Sequence, residues 1–126
     1  MRHTRFAKGF QRGRKKGQND TEAAYSLWLD KRIADGEVLD YWFEGITLKL
    51  ADATRYTPDF LVMVADGGLE LHEVKAGRMD KETGAVVPMS EDASRVKLNI
   101  AAERFPFRFR LAFVHRHQWH FREVGA

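Results

Sequence analysis

The chain has 126 residues, of which 44% are hydrophobic and 31% charged, a balance that fits one globular domain and excludes a disordered chain. It has no cysteine, which excludes disulfides, zinc–cysteine sites, iron–sulfur clusters and cysteine nucleophiles. The net charge of +3 conceals a polarity: residues 1–16 carry seven Lys or Arg and no acid, while the remainder carries 14 against 18 Asp and Glu.

Residues 1–18 contain Arg2, Arg5, Lys8, Arg12, Arg14, Lys15 and Lys16, with only Phe6 and Phe10 as bulky apolar groups. Such a run cannot bury enough surface to order itself. It reads as a flexible basic arm that neutralises nucleic-acid phosphates, with a solubilising tail as the alternative. Residues 19–126 read as a single domain. No apolar run approaches the roughly 18 residues of a membrane span, and the basic start has no apolar stretch of the secretory kind. A soluble, cytoplasmic protein with no membrane partner is expected.

A helix is expected from Asp20, with Asn19 as its N-cap, Glu22 completing a capping box and Gly36 as its stop. Ala24, Leu27, Trp28 and Lys31 follow helical spacing along it. Residues 38–50 are rich in strand formers and bend at Gly45. Residues 51–57 read as a polar connection. Residues 59–65 are nearly all apolar, as in a central strand covered on both faces. Asp66-Gly67-Gly68 then signals a hairpin into a partner strand over 69–75. Residues 76–89 read as loop. A second helix is expected over 90–104, with Ala93, Val96, Ile100 and Ala101 on its inner face. Residues 107–113 alternate as a half-buried strand, and 118–124 form the last strand, with Trp119 and Phe121 inward. Phe107, Phe109, Phe113, Trp119, Trp28 and Trp42 are assigned to the core. The expected class is α/β: helix, three strands, helix, two strands.

The chemistry gathers on the hairpin. Glu73 and Lys75 lie two apart on one strand and so share a face. A three-residue loop of Asp66-Gly67-Gly68 would set Ala65 against Leu69 and Asp59 opposite Lys75, on the face that carries Glu73. A two-residue loop would send Asp59 to the other face. Two carboxylates so placed need a neutralising charge, and a hard divalent cation supplies it. Such a cation makes water a better nucleophile and offsets charge building on phosphorus. Lys75 would orient the water or stabilise that charge.

Pro58-Asp59, thirteen intervening residues, then Glu73-Val74-Lys75, with Glu22 on an upstream helix, resembles the signature of the PD-(D/E)XK nuclease superfamily. The stretches Tyr56-Thr57-Pro58-Asp59-Phe60 and Glu73-Val74-Lys75-Ala76-Gly77 are most similar to small phage-encoded members, and also to Holliday-junction resolvases and transposon-end nucleases. Ala76 stands where many members have Gly directly after the lysine. The resemblance covers about residues 19–114. It implies a restriction-endonuclease-like fold, a mixed central sheet flanked by helices. It implies Mg²⁺, with Mn²⁺ as a substitute, held by Asp59, Glu73, the Val74 backbone carbonyl and Glu22, with Lys75 assisting the attacking water. The catalytic set is then Glu22, Asp59, Glu73 and Lys75. The implied activity is phosphodiester hydrolysis in DNA, structure-selective for branched DNA such as a Holliday junction, by a phage-encoded homodimer in the host cytoplasm with no organic cofactor. Alternatives are a general or assembly-dependent DNA nuclease of recombination or transposition, and an inactive nucleic-acid-binding module.

Several residues stand apart from this set. Lys97 either faces the site and contacts nucleic acid or is a solvated helix lysine. Arg108 and Arg110 read as a solvated strand face, with phosphate contact as the alternative. His72 points away from Glu73 and reads as a core or sheet-face histidine, with a ligand role as the alternative. His115 and His117 share a strand face, but His120 has the wrong parity for a metal cluster, so surface or turn roles are expected.

Overall fold

In the computed structural model, which describes residues 17–89 and 92–125, helix α1 spans Asp20–Ala34. The arm residues Arg2 to Lys16 lie outside the described residues. Asn19 caps α1 as expected. Its side chain accepts the Glu22 N–H at 2.8 Å, and the Glu22 carboxylate accepts the Asn19 N–H at 3.0 Å. Gly36, at φ +83°, lets the chain leave the helix. The buried stripe is Tyr25, Ser26, Leu29 and Asp30, one position round from the expected one; Leu27 is 53% exposed and Ala24 is exposed. Polar residues enter the stripe because they are bonded there. Asp30 accepts the Tyr41 hydroxyl at 2.7 Å, and Ser26 Oγ accepts the Gln18 amide at 2.8 Å. Gln18 is therefore packed on the body rather than part of an arm.

Strands β1 (Val38–Phe43) and β2 (Leu48–Ala51) flank the bend at Gly45. The stretch expected as a connection contains β3 (Thr54–Tyr56), which pairs with β2 as a separate two-stranded ribbon. Strands β4 (Phe60–Val64) and β5 (Leu69–Met79) form the hairpin. β5 runs past the expected end at Lys75 and pairs with β6 (Val86–Pro88), within what read as loop. Helix α2 spans Ala93–Arg104, capped by Asp92, followed by β7 (Arg108–His115) and β8 (Gln118–Val124). The observed order is thus helix, six strands, helix, two strands.

The main sheet is mixed, in the order β1-β4-β5-β7-β8, with β6 added to β5. β5 is its middle strand, antiparallel to β4 and parallel to β7. That parallel pair needs a crossover, which α2 supplies. Alternation along β5 divides the core. Leu71 packs with Phe109, Leu111 and Phe113 against Leu98 and Ala101 of α2. Val74 packs with Val62 and Ala112 against Tyr25 and Leu29 of α1. The expected inner face of α2 is corrected in part: Ala101 is buried with Leu98, while Val96 is 54% exposed. Phe121 is 36% exposed, its ring tilted against Trp28 rather than inward. Trp28, Trp42, Phe107 and Trp119 are half-buried, whereas Phe109 and Phe113 are fully core. No helix among the described residues is long and apolar enough to cross a membrane.

Candidate active site

The hairpin loop sets the register. Val64 N–H bonds the Gly68 carbonyl at 2.9 Å, so the three loop residues are Ala65, Asp66 and Gly67, one earlier than expected. Gly67 takes φ +89°, the left-handed position of such a loop. Met63 therefore faces Leu69, and Phe60 faces His72. The pairing is two positions away from the expected one, an even shift, so every side chain keeps its face. Asp59 lies on the face of Glu73, beside that residue rather than opposite Lys75.

A gap in the pairing of β5 makes the site. On one edge, β4 covers β5 as far as His72, and β6 covers it from Gly77. Between them the Asp59 carboxylate takes the Val74 N–H at 2.8 Å. The N–H and C=O of one strand residue point to the same edge, so the Val74 carbonyl also faces the gap. Pro58, buried and without an N–H, precedes Asp59 at the start of β4.

Glu73 is 3% exposed. Tyr56, carried in by the β2–β3 ribbon, donates its hydroxyl to Glu73 Oε1 at 2.6 Å. Lys75 Nζ lies 3.8 Å from Glu73 Oε2, but its short contacts are to Asp92 Oδ2 at 2.7 Å and Ser94 Oγ at 2.8 Å. Sequence reasoning missed Tyr56, Asp92 and Ser94 as site residues. Asp92 did carry a legible signal, a good N-cap residue just before the second helix.

The electrostatics show a pair of acids whose neighbours compensate it only in part. Burial, then the charge of Glu73, push the Asp59 carboxyl up to about 8, with Glu22 adding to the rise. Burial also raises Glu73, against the lowering effect of its Tyr56 hydrogen bond. Burial and the neighbouring Glu73 raise Tyr56, which stays a donor. Asp92 is the opposite case: its hydrogen bonds from Lys75 and Ser94 hold it at about 2. Lys75 is thus an ion pair with Asp92 first and a neighbour of Glu73 second.

The structure brings Asp59, Glu73, Lys75 and the Val74 carbonyl together. Glu22 adjoins through Asp59 while its own carboxylate remains in the capping box. Among the described residues, no three His, Cys, Asp or Glu side chains form a metal cage. Two buried acids with raised pKa values nevertheless suit a hard cation that takes one or two carboxylates and fills its shell with water and substrate oxygens. Lys97 donates to the Arg55 carbonyl at 2.8 Å, tying α2 to β3 rather than touching the acids.

The remaining candidates resolve separately. His72 points away from the site and bonds Tyr25 and Glu70. Arg108 is exposed and pairs with the buried Glu70 at 2.7 Å; Arg110 pairs with Glu123 at 2.6 Å. His117 sits with Arg116 in the β7–β8 turn, both at positive φ, while His120 stacks on Phe113. The chain matches no family model, no curated protein and no solved structure.

Proposed function

We propose that the protein is a Mg²⁺-dependent DNA endonuclease with a restriction-endonuclease-like fold. One observation carries this reading: the Asp59 and Glu73 carboxylates share a gap in one sheet edge, with Lys75 and the Val74 carbonyl at the same gap. Asp59, Glu73 and the Val74 carbonyl would hold the cation, with Glu22 adjoining. The cation would supply charge neutralisation on a phosphodiester and a more acidic water at the site.

The chain's own groups then divide the work. Asp59 is held by a backbone N–H, so its position does not depend on a flexible partner. Tyr56 keeps Glu73 turned into the gap. Asp92 and Ser94 hold the Lys75 ammonium at the rim, 3.8 Å from Glu73, where it can bind a phosphate oxygen or orient a water. The preferred substrate in this reading is branched DNA cut by a homodimer, because two symmetric cuts require two related sites. The basic run over residues 1–16 supplies sequence-independent phosphate contacts.

The test is cleavage of a four-way DNA junction beside a matched linear duplex, with Mg²⁺ or EDTA and with Asp59→Asn as control. Paired symmetric nicks confined to the junction support the full reading. Equal cutting of both substrates supports the general nuclease. Absence of Mg²⁺-dependent cutting in both overturns the enzymatic reading.

A further inference from the structure

We propose that an arginine-lined groove beside the carboxylate site binds the phosphodiester backbone of the nucleic acid. The partner's identity rests on the nuclease reading; the groove itself does not. Arg78 comes from β5, Arg95 from the first turn of α2 and Arg122 from β8. The three line one cleft of about 340 Å³, with Asp80, Pro88 and Met89 among its other walls. A second cleft of about 310 Å³ shares Arg95 and Arg122 and passes Asn99 toward Gly125; its one acid among the described residues, Glu123, is paired with Arg110 at 2.6 Å. The two clefts adjoin at Arg95 and Arg122, one bordered by β5 and β6 and the other by α2 and β8.

The charge arrangement argues for an anion. Outside residues 1–16 the chain has more acids than bases, yet three arginines from distant parts of it line this one cleft. Among the described residues, Asp80 is the one carboxylate in the first cleft; it accepts the Thr83 hydroxyl at 2.8 Å and also feels the charge of Arg78, so one acid faces three arginines. The Arg122 guanidinium lies 5.7 Å from the centre of the Phe113 ring, which orients the cation without neutralising it. Planar guanidinium groups match phosphate oxygens in pairs.

Position argues for a backbone rather than a free anion. Arg95 follows Ser94, which holds Lys75, and the Arg95 N–H bonds Asp92, the other Lys75 partner. The groove therefore begins at the anchor of the site lysine. A strand whose phosphate lies at Asp59, Glu73 and Lys75 would meet the groove where Arg95 follows Ser94.

The experiment measures binding by the full chain carrying Asp59→Asn, without metal, to fluorescent duplex and four-way junction DNA across a KCl series. Arg78→Gln and Arg122→Gln are added singly and together, with Lys31→Gln on α1 as a control. Each groove variant is expected to weaken binding by about 5- to 10-fold. The double variant is expected to flatten the log–log salt slope by about 2, because each neutralised phosphate contributes about 0.9 to that slope. Arg122→Lys, which keeps the charge, should keep the slope, and the thermal midpoint shows that each variant is folded. Unchanged affinity and slope in the folded double variant overturn the groove. So does weaker binding with an unchanged slope, or a loss matched by the Lys31 control. Inorganic phosphate that binds at the groove while DNA binding ignores the variants overturns it as well. Cutting by the unmodified chain is scored separately. Absent cutting with groove-dependent binding removes the nuclease reading and leaves the groove, and the reverse result removes the groove alone.

Discussion

The Asp59 carboxylate accepts the Val74 N–H at 2.8 Å, so the first acid of the site is fastened to the backbone between the second acid and the lysine. Asp59 and Glu73 are fourteen positions apart in the chain. Their separation in space is set by a strand register, which is stiffer than any side-chain contact. This makes the acid pair a property of the sheet.

Loss of either charge should stop the chemistry while sparing the fold. Asp59→Asn keeps the size and an acceptor for Val74 but weakens cation binding. Lys75→Ala removes the ammonium at the rim. Each is expected to lower DNA cleavage by at least about 100-fold, with binding of uncut DNA changed by less than about threefold. Nicking rates and gel-shift affinities measured on the same preparations check this.

Tyr56→Phe should cost both stability and pH tuning. Glu73 is buried and would lose its 2.6 Å donor. A hydrogen bond to a buried carboxylate contributes about 1.5–3 kcal/mol, so a loss of about 2 kcal/mol is expected in denaturant unfolding. The Tyr56 bond lowers the Glu73 pKa, so the acidic limb of the cleavage profile should move to higher pH.

Stability without metal should fall as pH rises from about 4 to about 8. Asp59 has its folded pKa raised from 3.8 to about 8. In that window the folded chain holds more protons than the unfolded chain, and stability declines with pH. A cation competes with those protons. Mg²⁺ should therefore raise the thermal midpoint more at pH 8 than at pH 5, and Asp59→Asn should abolish most of that difference. Melting curves at both pH values, with Mg²⁺ and with EDTA, decide it.

The opposite sheet face carries a buried polar chain. The Tyr25 hydroxyl meets His72 Nδ1 at 2.7 Å, and His72 Nε2 meets Glu70 at 2.9 Å. Burial lowers the His72 pKa, so the ring is neutral near pH 7, accepting from the Tyr25 hydroxyl and donating to Glu70. His72→Leu strands two buried polar groups and should cost about 3 kcal/mol in denaturant unfolding. Glu70, held at about 2 by its His72 and Arg108 hydrogen bonds, gives the opposite pH sign from Asp59. Its contribution is present above the usual carboxylate range and is lost as pH falls toward 2. Glu70→Gln should flatten that acid limb.

Local chemistry was legible wherever it closed on itself. Asn19 and Glu22 are three residues apart, so their capping box could be read directly. The face of Asp59 was legible despite a displaced hairpin loop, because the error was even and parity survived it. Helix faces were less legible: Ser26 and Asp30 look solvent-facing until Gln18 and Tyr41 are seen bonded to them. β3 and β6 were missed because each is three residues long and exists only through pairing with β2 or β5.

The sequence by itself determined the α/β class, the first helix with its cap, the acid–acid–lysine set and the face it occupies. These follow from spacings of a few residues or from the period-two alternation of a strand. Only the tertiary structure decided that Tyr56, Asp92 and Ser94 hold that set in place. It also decided that the site lies where one edge of β5 is left unpaired, and that Arg78, Arg95 and Arg122 line one groove. Those relationships depend on which strands and helices pack against which, through pairings and crossovers that no short window of the chain encodes.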